Sequence, residues 1–174
     1  MGEPKAQLLV EGRPQALRIA EAISGRGWPV TVLGREPIEG FKFWADKSEF
    51  QGPLFALSSF VPGSDFVFVT SCDLPIFDDR IVDVLLELIG EKDAAVPHVC
   101  GFRQPFCALY RAGSFAKLPE VLKQEKVCGM SWIDVLDCRI VEESEFVLRG
   151  VNPLSTQGAN TKDELQQLLQ EAGK

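Results

Sequence analysis

A single histidine, no C-x-x-C pair and no long apolar run set the first limits on what this chain of 174 residues does. A Ser-His or Cys-His mechanism would have to rest on His98 alone, which follows Val96 and Pro97 near a strand end and is given no role. The five cysteines, Cys72, Cys100, Cys107, Cys128 and Cys138, are odd in number, and most fall in apolar stretches where a free thiol behaves as a small hydrophobe. That argues against a disulfide framework or a zinc site and for a reducing, cytoplasmic setting. The start, Met1-Gly2-Glu3-Pro4-Lys5-Ala6, is polar and carries no secretory signal, and Ala6 breaks the myristoylation pattern. No apolar run approaches transmembrane length, so no membrane partner is expected. Excess basic charge is also missing. A net charge of −7 argues against a nucleic-acid partner held by phosphate neutralisation. A small anionic ligand stays open, because local cations and backbone N–H groups can oppose the net charge.

What is present has the profile of one globular domain, 45% hydrophobic and 25% charged, spanning residues 1–174. Phe66-Val67-Phe68-Val69 runs without alternation, as in a strand buried on both faces, and leads through Thr70-Ser71-Cys72 to Asp73-Leu74-Pro75. Pro75 disfavours helix at Leu74, so a loop is expected there. Asp78 is placed to cap a helix carrying Ile81, Val82, Leu85, Leu86 and Ile89 on one face. In open α/β sheets the loops at the carboxyl ends of strands hold the ligand, so Asp73 stands where a metal or polar substrate would bind. An Asp after a strand can equally be only a turn residue.

The other elements follow in order. Ala16, Leu17, Ala20 and Ile23 have helical spacing after Pro14, and Gly25 marks the stop. Val30–Leu33 and Phe41–Trp44 read as strands, with Asp46 just beyond the second. Gly52-Pro53-Leu54 opens a helix whose N–H groups would face an anion or a base edge, although Gly-Pro pairs are commonly plain turns. Ala94–Val96 and Phe106–Tyr110 read as strands, with Arg103 and Gln104 held rigidly by Pro105 at the start of the second. Gly113–Gln124 and Trp132–Leu136 are helical by pattern, and Arg139–Glu142 reads as an edge strand. The acidic run of Glu142, Glu143 and Glu145 is expected to be exposed, without metal. The last helix opens at Asn160-Thr161, with a capping box between Thr161 and Glu164 or a cap by Asn160. This alternation predicts a three-layer α/β domain with a mainly parallel sheet.

Singly these motifs are weak, but their order is informative. Lys5 precedes a short strand. Gly52-Pro53-Leu54, Cys72-Asp73-Leu74-Pro75, Arg103-Gln104-Pro105 and Ala159-Asn160-Thr161-Lys162-Asp163-Glu164-Leu165 follow in turn. In these the chain resembles, over nearly its whole length, the molybdenum cofactor guanylyltransferase family, with its glycosyltransferase-A-like nucleotidyltransferase fold. The resemblance implies transfer of GMP from GTP to molybdopterin-bound molybdenum with release of pyrophosphate. It also implies Mg2+ at Asp73, and GTP phosphates at Lys5. Asp46 and the segment Gly52, Pro53 and Leu54 match the nucleotide side; Arg103, Gln104 and Asn160 match the acceptor side. Transient contact with cofactor-pathway proteins or recipient molybdoenzymes is implied too.

The departures are equally definite. The family opens with a buried strand and a glycine-rich phosphate loop, L-A-G-G-x-S-x-R-M-G, and Met1-Gly2 coincides with its last two residues. The fold is therefore expected without its first strand, N-terminally truncated relative to the family, and two explanations compete: a start assigned at an internal methionine, or a genuinely short chain that lacks the strand and the phosphate loop. Gly158 stands where the family has the first Asn of N-x-N-T, and Gly34 where it often has a nucleotide-contacting Asn. Two alternatives go with these departures: a non-catalytic member that binds a cofactor-pathway partner, and a related nucleotidyltransferase using another nucleotide.

Overall fold

The computed structural model describes residues 9–10, 12–46, 52–159 and 161–173. Lys5 and Asn160 lie outside them. Leu9–Val10 (β1) and Arg13–Pro14 (β2) pair antiparallel, and Gln15–Gly25 follows as helix α1. Thr31–Gly34 (β3) and Lys42–Ala45 (β4) form a separate parallel pair. Pro53 takes the first helical position of Pro53–Ser58 (α2), where its missing N–H costs nothing.

The larger sheet begins with Phe66–Thr70 (β5). Ile81–Leu88 (α3) leads to Ala94–Val99 (β6), Phe102–Arg103 (β7) and Cys107–Arg111 (β8). The chain then runs through Leu118–Val121 (α4), Gly129–Ile133 (α5), Cys138–Glu142 (β9), Glu143–Val147 (α6) and Lys162–Glu171 (α7). β8 lies antiparallel between β5 and β6, while β9 pairs parallel to β6 on its other side. β5, β6 and β9 therefore point the same way and β8 alone among these four is reversed, so the parallel sense expected from the alternation holds around one inverted strand.

Strand alternation divides the core into two layers. Ala94 and Val96 of β6, with Ala108 and Tyr110 of β8, face a cluster containing Leu54, Leu118 and Trp132. Ala95, Cys107 and Leu109 face the other cluster, with Ile19, Ile81, Leu85 and Phe146. Helices on both faces give the three-layer arrangement. No helix among the described residues is long and apolar enough to cross a membrane.

Several local expectations are revised. Of the β5 run only Val69 is fully buried, because among the described residues β5 has a ladder partner on one side only. Leu86 is exposed, and Val84 takes its place inward with Ile81 and Leu85. Asp78 does not cap α3 directly. Its carboxylate accepts the Arg80 N–H at 3.0 Å, bracing the turn before the helix. The helix expected over Gly113–Gln124 splits into a 3-10 turn, Ala112–Lys117, and α4, because Pro119 has no N–H to continue a ladder and instead suits a new first turn. α5 starts ahead of Trp132, at Gly129, where the Ser131 hydroxyl accepts the Cys128 N–H. At α7, Thr161 and Glu164 form the capping box.

Candidate functional site

The site is built on the loop that leaves β5. The Ser71 N–H donates to Phe106 O at 2.8 Å, carrying the β5–β8 ladder one residue past the strand. The chain then turns, and Leu74 and Ile76 are buried beneath the loop. The Asp73 carbonyl accepts the Ala159 N–H at 2.9 Å, and Arg18 of α1 donates to Pro75 O at 3.3 Å. Backbone on both sides of Asp73 is thus fixed from two distant parts of the chain. Its carboxylate accepts the Ser71 hydroxyl at 2.6 Å on Oδ1.

Facing this carboxylate is Gly158. A Cβ there would stand 3.2 Å from Asp73 Oδ1 and 3.5 Å from Oδ2. The missing side chain leaves a cavity of about 330 Å3 open onto Asp73, with Ser71, Gln104, Thr156 and Gln157 as its other polar walls. Asp73 is the carboxylate available to a cation here. Among the described residues no group of three or more His, Cys, Asp or Glu side chains is placed to hold a metal. One carboxylate in a roomy polar cavity suits magnesium, which keeps several waters and binds through one or two carboxylates together with phosphate oxygens.

Gln104 reaches the cavity from a short hairpin. β6 and β7 pair with Val99 opposite Phe102 and His98 opposite Arg103, joined by Cys100 and Gly101. Both turn residues have positive φ, 52° and 77°, the backbone of a two-residue primed turn. Four bonds hold this hairpin. The Gln104 N–H donates to Pro97 O at 2.8 Å, and Gln157 Nε2 to Val99 O at 3.2 Å. The Cys100 N–H donates to Glu143 Oε1 at 2.7 Å, and His98 Nδ1 meets Glu142 Oε2 at 2.9 Å. The hydrogen bond to Glu142 is the main reason the imidazole is raised above its ordinary value of 6.5. The acidic run around Glu142 is therefore engaged in ion pairs and caps, Glu145 with Arg139 included. Pro105, next along, is held by the buried Tyr110 hydroxyl, which donates to its carbonyl at 2.7 Å. Tyr110 in turn stacks on Trp132 with ring centroids 4.1 Å apart.

Arg103 lies on the far side of the hairpin, ion-paired with Asp134 at 2.9 Å. A second cavity of about 660 Å3 opens there. The structure thus brings Asp73 and Gln104 together and puts Arg103 in the adjoining space. Asp46 stands at the end of β4, its N–H donating to Gly34 O at 2.7 Å, beside the other strand pair. Gly52 precedes α2 with φ of 101°, a conformation that favours glycine. Leu54 is 1% exposed and packs in the core, so only its backbone is open to a ligand. Sequence reasoning missed Ser71, Gln157 and Phe102. A hydroxyl two residues before the Asp was a visible signal for the first, but the other two depend on long-range packing.

A family model described as the MobA-like NTP transferase domain matches residues 1–139. A relative from Halalkalibacterium halodurans, named "Probable molybdenum cofactor guanylyltransferase", is 27% identical over 159 residues, covering 83% of this chain and 80% of its own length. The solved molybdopterin-guanine dinucleotide biosynthesis protein A of Archaeoglobus fulgidus is similar in fold, with a TM-score of 0.76 at 15% identity over 97% of this chain and 90% of that one. The 2-C-methyl-D-erythritol 4-phosphate cytidylyltransferase of Thermus thermophilus shares the fold at a TM-score of 0.68 and 16% identity, covering 99% of this chain and 95% of that one.

Proposed function

The chain belongs to the MobA-like NTP transferase domain family, and on that premise we propose that it is a guanylyltransferase, moving GMP from GTP to molybdopterin-bound molybdenum and releasing pyrophosphate. The guanine and molybdopterin assignment is supported by the names of the Halalkalibacterium halodurans relative and of the Archaeoglobus fulgidus protein. The observation that carries the site is the Asp73 carboxylate, fixed from both sides and left open by Gly158.

The chemistry is an in-line displacement at the α-phosphorus. An oxygen of the acceptor's terminal phosphate forms the new P–O bond, and the bond to the bridging oxygen breaks, its electron pair leaving with pyrophosphate. Two anions must approach, so the site has to hold them in line and offset their charge. Bound Mg2+ would supply Lewis-acid charge neutralisation on the phosphate oxygens, with Asp73 holding it. Ser71 keeps the carboxylate in one rotamer through its hydroxyl. Gln104 offers an amide to the cavity from a hairpin that cannot shift easily. Lys5 serves the nucleotide phosphates, Asp46 and the Gly52–Leu54 backbone the nucleoside, and Asn160 the acceptor side. The cytoplasm fits a chain whose five cysteines form no disulfide among the described residues.

The test is Asp73→Asn in the full chain, assayed for pyrophosphate release with GTP, Mg2+ and molybdenum-loaded molybdopterin. Turnover should fall by at least about a hundredfold with the melting temperature unchanged. Retained turnover would remove Asp73 from the reaction. Competition between GTP and CTP in a binding assay separates guanylyl from cytidylyl transfer, with GTP expected to win.

A further inference from the structure

The hairpin of β6 and β7 divides two cavities, and Phe102 and Pro105 line both. How far Gln104 stands from Asp73 in the smaller one depends on where this hairpin is held. Several of its outward ties run to elements beyond β5. His98 and Cys100 bond to Glu142 and Glu143, at the strand edge farthest from β5 and the start of α6, and Arg103 pairs with Asp134 at the end of α5. A different tie runs to the Asp73 side: Gln157 Nε2 donates to Val99 O at 3.2 Å, and Gln157 lines the Asp73 cavity. We propose that Gln157 is a positioning residue for the transfer reaction, setting the spacing of Gln104 from Asp73 through that bond. This rests on the reading of the Asp73 cavity as the transfer site, and it names a residue outside every motif that carried the family resemblance.

The segment that carries Gln157 is built without its side-chain bond. Asn152 Oδ1 accepts the Leu154 N–H at 3.0 Å and opens the 3-10 turn Pro153–Thr156. The Thr156 hydroxyl donates back to Pro153 O at 2.9 Å, and the Gln157 N–H closes the turn on Leu154 O at 3.0 Å. Two residues on, the Ala159 N–H reaches Asp73 O at 2.9 Å. Main chain is therefore fixed on both sides of Gln157, to its own turn before it and to the Asp73 loop after it. The carboxamide instead crosses to the carbonyl of Val99, the buried last residue of β6. One short stretch thus holds the Asp73 loop by its backbone and the hairpin by a side chain. The two consequences of losing that bond differ in size. A neutral hydrogen bond adds little net stability, because water replaces it in the unfolded chain. A reacting or orienting group displaced by about 1 Å can lose on the order of a hundredfold in rate. Removing the bond should leave the fold standing and let Gln104 drift from its place opposite Asp73.

Two variants of the full chain test this. Gln157→Met keeps the length and removes the donor, and Gln157→Glu installs a carboxyl that donates only when protonated. Both are compared with wild type for pyrophosphate release with GTP, Mg2+ and molybdenum-loaded molybdopterin, and for amide hydrogen exchange followed by NMR. Gln157→Met should lower kcat about tenfold, with KM for GTP within about twofold and the melting temperature unchanged. In the same variant the Gln104 N–H should exchange about tenfold faster, and the Ala159 N–H at the wild-type rate. Gln157→Glu should be as slow at about pH 8 and recover toward wild type, measured at the same pH, as pH falls to about 5 and the carboxyl regains its proton. An unchanged kcat in Gln157→Met overturns the proposal, as does a Gln157→Glu that stays slow at low pH. Equal acceleration of exchange at Ala159 and Gln104 also overturns it, since the whole segment would then have loosened. A wild type that releases no pyrophosphate defeats the transfer reading instead, and exchange still decides the role of Gln157. Acceleration confined to Gln104 keeps it as the residue that places the hairpin, and unchanged exchange removes it.

Discussion

A methyl group at position 158 would press on the Asp73 carboxylate, 3.2 Å from Oδ1 and 3.3 Å from Cγ. The Ser71 hydrogen bond resists rotation of the carboxylate away from it. Gly158→Ala should therefore reduce turnover by about tenfold while changing stability by less than about 1 kcal/mol, as steady-state pyrophosphate release and urea unfolding would show. Unchanged turnover would mean the carboxylate orientation is unimportant. Gln15 poses the opposite case. It is 1% exposed, and among the described residues neither its amide nitrogen nor its amide oxygen has a hydrogen-bond partner. Such a group carries a desolvation cost of about 1–3 kcal/mol, so Gln15→Met should raise the urea midpoint, and a lower midpoint would point to a hidden partner. Neither effect is legible in the residue string. The departure at Gly158 is visible there, but its contact with Asp73 spans 85 positions of chain, and the burial of Gln15 is set by tertiary packing.

The element on which the site depends is the β6–β7 hairpin. His98 clips it to Glu142, and the imidazole is raised by that hydrogen bond. A raised histidine contributes stability that is fully present below its unfolded value and is lost as pH rises through the folded one. The melting-temperature difference between wild type and His98→Asn should accordingly be larger at about pH 6 than at about pH 9. An equal difference at both would assign the effect to packing alone. The neighbouring element, α5, is held by contact. Gly129→Ala drives a methyl group into Pro105 and Phe106, at 2.5 Å and 2.9 Å, and should cost about 1–3 kcal/mol in denaturant unfolding. Element by element, chemistry with a local cause was readable in advance: Pro53 opening α2 and the Thr161–Glu164 box opening α7 both follow from which backbone groups a helix end leaves unpaired. The break at Pro119 was equally local and was passed over because Phe115, Leu118 and Val121 keep a helical spacing across it.

For the whole molecule, the alternating pattern predicted three layers, and both core clusters bear it out. The pattern could not tell that β8 runs against β5 and β6, because a period of two looks the same in either direction and the choice is made by pairing across distant segments. That reversal brings Pro105 and Gln104 to the carboxyl end of β5, where Asp73 begins its loop. The antiparallel insertion is therefore what turns two separate motifs, C-D-L-P and R-Q-P, into one site.

The stacked pair of Tyr110 and Trp132 has a use outside binding. The rings lie 4.1 Å apart and 9° from parallel, both fully buried, and the tyrosine ends on the carbonyl of Pro105 in the wall between the cavities. Two chromophores locked in this way couple optically. Near-ultraviolet circular dichroism of the native protein thus carries an intrinsic signal from a ring pair tied to that wall, readable without any label.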